Sequence, residues 1–332
     1  MALSTNAVVT YTAIGNREDL SDVIYNISPT ETPFMSQVAG KGTARGTIHE
    51  WQKDSLAAAA ANASLEGEDA PVFAAQAVTI RLRNELQIST KLASVTGTQE
   101  VVDKAGRDSE LKYQIMKRAR ELKRDMEFTL CGKQARGVGS TTTNRTFAAM
   151  ECWFQTNGTN TTPDFLLGAT TGAHAASTAG IPDAAAQPTD GTVRDPTEAM
   201  LRYAILLAWN QGGDPSVIMC GGINKQKMSA FVGSTTRTLP GNAEDKRFVN
   251  GMDVYESDFG IHKVVPNRFM RVSTRTCIMV LTPELWSVDY LRPFTQYPIA
   301  KIGDSERRQI LAEYTLVSKQ EAGSTIIADL NL

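Results

Sequence analysis

Three histidines, four cysteines and one tight acidic group are the residues of this chain whose types could do chemistry, and their spacing argues against it. His49, His174 and His262 fall in three separate segments and form no local motif. His49 stands beside Glu50 in a strand-like run, where adjacent side chains point to opposite faces, so the two make a poor acid–base pair. Cys131, Cys152, Cys220 and Cys277 have neither Cys-x-x-Cys spacing nor a histidine at metal-ligand spacing, and read as buried free thiols. Glu66, Glu68 and Asp69 could attract a hard cation, but crowded at a loop tip they read as a solvated acidic group. Gly212, Gly213, Gly221 and Gly222 flank a strand and read as turn glycines. No nucleophile elbow, P-loop, His-Glu-x-x-His or dinucleotide fingerprint is present. The expectation is a non-enzyme with no catalytic residue, cofactor or metal.

A chain of 332 residues is long enough for two lobes, since single cores stop growing near about 250 to 300 residues. Its 34 basic and 36 acidic residues leave a formal charge of −2, which argues against a protein whose main work is gripping phosphates. No apolar run approaches the roughly 20 residues of a membrane span, and no membrane contact is expected.

The elements that would position these residues begin with a polar arm and a long two-stranded excursion between Gly40 and Gly97. Its strands are Thr47 to Trp51 and the alternating Ile80, Leu82, Leu86 and Ile88. The stretch between them holds five consecutive alanines, Ala57 to Ala61, then Glu66, Gly67, Glu68, Asp69 and Pro71. It has little bulky apolar material to pack on itself. Loops longer than about 12 to 15 residues without structure of their own tend to be functional, and docking on another subunit would explain this one.

From Arg107 to Arg136, Leu111, Ile115, Ala119, Leu122, Met126 and Leu130 form one helical stripe, with Asp108 as the expected N-cap and Gly132 or Gly137 as the stop. The other faces carry an excess of basic residues, including Lys117, Arg120, Lys123 and Arg124. Two readings stay open for them: a solvated face with i,i+4 ion pairs, or a surface that meets nucleic acid weakly. Residues 137–191 read as an irregular surface insertion anchored by Trp153, Phe154, Phe165, Leu166 and Leu167. Asp195, Pro196 and Glu198 form a capping box for a helix that runs to Trp209. A strand at 215–220, a helix at 224–231 and strands at 248–257, 261–265 and 276–281 follow. Segments 309–318 and 324–330, turned at Glu321 to Gly323, read as a closing hairpin.

The run from Tyr11 to Asp22 (Tyr-Thr-Ala-Ile-Gly-Asn-Arg-Glu-Asp-Leu-Ser-Asp), then Ile27 to Phe34, then His49, Glu50, Trp51, Gln52, Asp54, Ser55 and Leu56, resembles the opening of a tailed-phage major head protein family, the SU-ten-like major capsid proteins. That resemblance implies an α+β Hong Kong 97-type capsid fold. Its parts would be an N-terminal arm (1–37), an E-loop hairpin (38–97), a peripheral domain with a spine helix at about 107–136 (98–192), an axial domain (193–290) and return strands to the peripheral domain (291–332). It implies a shell subunit of a bacteriophage or prophage, forming hexamers and pentamers of an icosahedral head around double-stranded DNA, assembled in the host cytoplasm and resident in the virion. The partners implied are other copies of the chain, a portal protein at one vertex, weakly held packaged DNA, and, left open, scaffolding and decoration proteins. An encapsulin-like compartment is the alternative within the same fold; a soluble α/β enzyme with a site built from distant residues is the alternative outside it. Some relatives of this fold cross-link a loop lysine to a neighbour's asparagine, but Lys53 has no partner visible in the sequence. Expected at subunit interfaces are Asn16, Arg17, Asp19 and Asp22 in the arm and Trp51, Glu66, Glu68 and Asp69 on or near the loop; Lys117, Arg120, Lys123 and Arg124 are expected to face the shell interior.

Overall fold

A computed structural model describes residues 31–54, 56–63, 66–67, 78–104, 106–157, 187–188, 190–231, 253–272 and 275–331. Strand β1 (Gly40–Thr43) lies parallel to β10 (Trp286–Ile299), which pairs antiparallel with β11 (Ser305–Ser318), which pairs in turn with β4 (Gln87–Thr96). Along β4, Ala93 and Val95 are buried while Ile88, Thr90, Leu92 and Ser94 are exposed, the alternation of a sheet covered on one face. The cover is helix α2 (Glu110–Leu130), reached through the short α1 (Gly97–Val101).

The apolar stripe read from the sequence is the face that α2 buries, with Leu122, Met126 and Leu130 almost wholly out of solvent. Its ends differ from the expectation. The Ser109 hydroxyl, rather than Asp108, accepts the Lys112 amide at 3.2 Å and caps the helix. Both residue types cap well, so the register was settled by packing, aided by the Arg107–Glu110 ion pair at 2.7 Å across the first turn. The helix stops at Leu130, before Gly132, so its 21 residues span about 31 Å rather than the longer reach of 107–136.

The second sheet has the order β12 (Thr325–Asn331), β9 (Arg275–Leu281), β5 (Val217–Cys220), β7 (Gly260–Pro266), β6 (Val254–Ser257), with β8 (Arg271–Val272) paired to β9. Its central strands β5 and β9 are buried on both faces. Val217, Met219, Cys277, Met279 and Leu281 join the core that also holds the α2 stripe and Trp153, Trp286 and Tyr314. Ile218, Cys220, Ile278 and Val280 pack on the other side against α3 (Glu198–Asn210) and α4 (Gly222–Ser229). Two-sided burial is why β5 and β9 read as near-continuous apolar runs. Helix α3 is capped by Thr197, whose side chain accepts the Met200 amide at 3.3 Å; the expected capping box is not used. Asp195 instead pairs with Lys227 of α4 at 2.7 Å.

Two further expectations change. Segments 309–318 and 324–330 do not form a hairpin: β11 pairs with β10 and β4, and β12 pairs antiparallel with β9 in the other sheet. The chain is diverted at Glu321, whose buried carboxylate accepts the amides of Gln155 at 3.2 Å and Thr156 at 3.1 Å and the Thr156 hydroxyl. The start of the expected surface insertion is core, since Phe147, Ala148, Ala149, Met150, Trp153 and Phe154 are fully buried. Phe165, Leu166 and Leu167 lie outside the described residues.

Candidate functional site

Strands β2 (Ile48–Lys53) and β3 (Ile80–Glu85) form a separate antiparallel pair, Ile48 opposite Glu85 and Lys53 opposite Ile80. Period-two alternation places His49, Trp51 and Lys53 on one face, and all three reach back to the body. His49 Nε2 lies 3.1 Å from Asp289 Oδ2 on β10. The Trp51 indole N–H donates to the Ser318 carbonyl at 2.9 Å, and its ring packs on Trp153 with centroids 5.4 Å apart. Lys53 Nζ stands 3.9 Å from Glu321 Oε1. Asp289 is itself held by the Ser287 hydroxyl at 2.7 Å, and Gly42 lies so close that a Cβ there would run into the carboxylate.

The second strand is anchored through Asn84, which is fully buried. Its amide donates to the carbonyls of Leu316 at 2.7 Å and Ala148 at 3.2 Å, and its carbonyl accepts the Ala148 N–H at 2.8 Å. Desolvation raises the neighbouring Glu85 carboxyl above its ordinary value, opposed by Arg136, Arg83 and Arg145. The hairpin base is thus fixed to the four-stranded sheet at several points. Beyond it, Leu56 is 99% exposed and Val78 84% exposed, Ala57 to Ala61 are exposed, and Glu66 and Gly67 form an exposed turn.

The expected site residues separate on this frame. Trp51 is turned inward and seats the hairpin. Glu66 is exposed at the turn. Glu68, Asp69, Asn16, Arg17, Asp19 and Asp22 lie outside the described residues, as does His174. On α2, Lys117, Arg120 and Lys123 are exposed, and Lys123 and the half-buried Arg124 lie over the rings of Phe294 and Phe269 at 5.7 and 6.0 Å. Among the described residues, Arg107–Glu110 and Arg118–Glu121 pair at i,i+3 along this helix, and Asp125 goes to Lys91 of β4 at 2.6 Å.

Sequence reasoning missed Asp289, Ser318 and Glu321 as the mount, because each lies more than 200 positions from its partner on β2. It also missed Glu127. This buried carboxylate accepts the amides of Phe34 at 2.6 Å and Met35 at 3.1 Å and the Asn267 side chain at 2.8 Å, tying the helical turn Phe34–Val38 to α2 and to the end of β7. Burial raises its carboxyl above the ordinary range against the pull of these three bonds.

The remaining polar groups do structural work. His262 Nδ1 donates to the Pro215 carbonyl, which leaves Nε2 to accept from the Ser257 hydroxyl at 2.6 Å; the Ser257 oxygen accepts the Phe259 amide at 3.2 Å. That chain pins the β6–β7 turn. All four cysteines are free and buried, and burial raises each thiol, Cys152 and Cys220 to about 12. Among the described residues no three His, Cys, Asp or Glu side chains are grouped to hold a metal ion.

A family model described as SU10 major capsid protein matches residues 4–331. Over 129 residues the chain is 36% identical to the major capsid protein of Escherichia phage Phieco32, a match that covers 39% of this chain and spans only 36% of that relative's length. Among solved structures, the capsid asymmetric unit of cyanophage A-1(L) aligns over 96% of this chain and 98% of its own, with a TM-score of 0.64 at 12% identity. A holo-encapsulin complex from Synechococcus elongatus aligns over 95% and 92%, with a TM-score of 0.53 at 10% identity. At such identities the structural likeness speaks for the fold alone, and that fold is the α+β Hong Kong 97 type expected from the sequence.

Proposed function

The chain belongs to the SU10 major capsid protein family, and from that premise we propose that it tiles an icosahedral phage head as hexamers and pentamers, with the β2–β3 hairpin laid across a neighbouring copy. The observation that carries the reading is the contrast within the hairpin: a base fixed to the body through Asp289, Ser318, Glu321 and Asn84, and an outer part that exposes Leu56 and Val78. A rigid mount with an unsatisfied tip suits a contact that one surface makes with a different surface of the next copy, as rings require.

In this proposal α2 and the four-stranded sheet form the peripheral plate, and the second sheet with α3 and α4 forms the axial domain, now including β12. The arm residues Asn16, Arg17, Asp19 and Asp22 and the loop residues Glu66, Glu68 and Asp69 contact neighbours. Lys117 and Arg120 meet packaged double-stranded DNA through weak, salt-screened attraction, consistent with the near-neutral chain. Lys123 and Arg124 serve there chiefly through their aromatic contacts. Assembly in the host cytoplasm, a portal protein at one vertex, and scaffolding or decoration proteins complete the partner set. The likeness to the encapsulin complex supports a second reading, a cargo compartment of the same architecture. Negative-stain microscopy of the chain expressed alone tests the first reading: rings or closed shells support it, and a species that stays monomeric even when co-expressed with neighbouring phage genes sinks it. Shells that copurify with a protein cargo and exclude DNA would favour the compartment.

A further inference from the structure

Helix α3 is apolar nearly all round: of its 13 residues only Glu198, Arg202 and Asn210 are strongly polar. A helix of that kind is normally covered on every side. Leu201, Ala204, Ile205 and Ala208 are covered by the second sheet. The flank beside them is open. Trp209 is 53% exposed, on the same flank as the half-buried Leu206, and its ring meets that of Phe259 in the β6–β7 turn at 5.1 Å. Arg202 and Asp258 edge this surface as an ion pair at 3.1 Å, both side chains largely in solvent. A second apolar surface lies on the opposite face of the same β6–β7 ribbon. Tyr255 and His262 stack as a cross-strand pair on the face towards α3, so alternation turns their neighbours outward. On that outer face Val254 and the 68% exposed Ile261 form one diagonal, and the exposed Glu256 and Lys263 form the other, with Lys263 reaching Gln37 at 3.0 Å.

We propose that these surfaces are the two halves of one contact between copies of this chain: the α3 flank of one copy receives the outer face of the β6–β7 ribbon of the next. Their chemistry matches. Each has an apolar centre beside one cation and one anion, Arg202 and Asp258 on the first and Lys263 and Glu256 on the second, so a second copy answers both signs at once. Their placement matches too. Because they lie on opposite faces of one ribbon, joining them is head-to-tail, and such a contact repeats round a ring instead of stopping at two copies. The ribbon holds the halves in fixed relation, since its two-residue turn is pinned by the bonds that link Pro215, His262, Ser257 and Phe259. A surface fixed in advance loses less entropy on contact. The inference rests on the reading that the chain assembles into rings, which then need this contact as well as the one proposed for the β2–β3 hairpin.

Mass photometry of the full chain tests it, with the wild type, Trp209→Glu and Ile261→Glu compared at one concentration. Each substitution sets an unmatched charge in the apolar centre of one half, so each should lower the assembled fraction by about tenfold or more while the chain keeps its native circular dichroism. A folded variant that assembles like the wild type overturns the proposal and leaves the ring reading standing. A wild type that stays monomeric removes the ring reading and this contact with it. Where a variant fails to fold, thiol cross-linking decides. The four native cysteines are buried, whereas Asn210 beside Trp209 and Glu256 beside Ile261 are exposed. In assembled chains carrying Asn210→Cys together with Glu256→Cys, a short bismaleimide should give a ladder of covalent dimers and higher multiples, and neither substitution alone should give any. Unlinked chains from the double variant, or linked ones from either single variant, overturn the proposal.

Discussion

Trp51 and Ser318, 267 positions apart, are joined by a hydrogen bond of 2.9 Å from the indole N–H to the backbone carbonyl, and this bond sets the hairpin on the end of β11. The ring packs near those of His49 at 5.8 Å and Trp153 at 5.4 Å, so it contributes packing as well as the bond. Trp51→Phe should cost about 1 kcal/mol through the lost bond, and Trp51→Ala about 3 kcal/mol, the low end for a large aromatic because the site is half-buried. Denaturant unfolding at neutral pH measures both, and equal costs for the two variants would contradict this account of the mount.

Glu127 offers a second test, since its two oxygens accept three N–H groups. Glu127→Gln keeps the shape but turns an amide N–H₂ toward donors, so it should destabilise by about 1 to 3 kcal/mol. Limited proteolysis should then cut sooner around Phe34, the turn that this carboxylate holds. A variant as stable and as resistant as the wild type would show that the three bonds are not what anchors the turn.

His262 sets an acid limit. Burial holds it below the ordinary value of 6.5, against the Pro215 bond and Asp214, which favour the charged form. As pH falls through that ordinary value, the unfolded chain takes up a proton that the native imidazole does not, so stability is lost with acidification, by at most about 1.4 kcal/mol per pH unit for one proton. Unfolding midpoints of His262→Asn should therefore fall less on acidification than those of the wild type; parallel curves would remove His262 from the account.

How much of this was legible in the sequence depends on the range of each interaction. The α2 stripe, the strand that forms β5, the unpacked loop and the family resemblance were readable because each is local or repeats along the chain. Cap choice was not. Asp108 and Ser109 are both good caps, and Asp195 proved to be a partner for Lys227. The strand after Glu321 was misassigned because two strand-like runs with a short turn normally pair, and nothing nearby reveals that the Glu321 carboxylate is bound by the amides at Gln155 and Thr156. Segment 147–154 reads as part of a surface insertion because its flanks are rich in Thr, Gly and Asn, yet Phe147, Met150, Trp153 and Phe154 are the signal of a core.

The basic face of α2 gives a separable prediction. Lys117 and Arg120 are exposed, so Lys117→Glu with Arg120→Glu should change stability by less than about 0.5 kcal/mol. If each residue meets one phosphate, the pair should flatten the salt dependence of weak double-stranded DNA binding by roughly two units of log–log slope. Fluorescence anisotropy against salt measures it, and an unchanged slope would place the DNA contact elsewhere.

The most direct test is particle mass, read by mass photometry, for the wild type and for a variant in which 56–79 are replaced by a short Gly-Ser link between β2 and β3. The account predicts large ring or shell masses for the wild type, and a folded variant of unchanged unfolding midpoint that stays at low mass. A variant that builds the same particles as the wild type would contradict the claim that this hairpin joins one copy to the next.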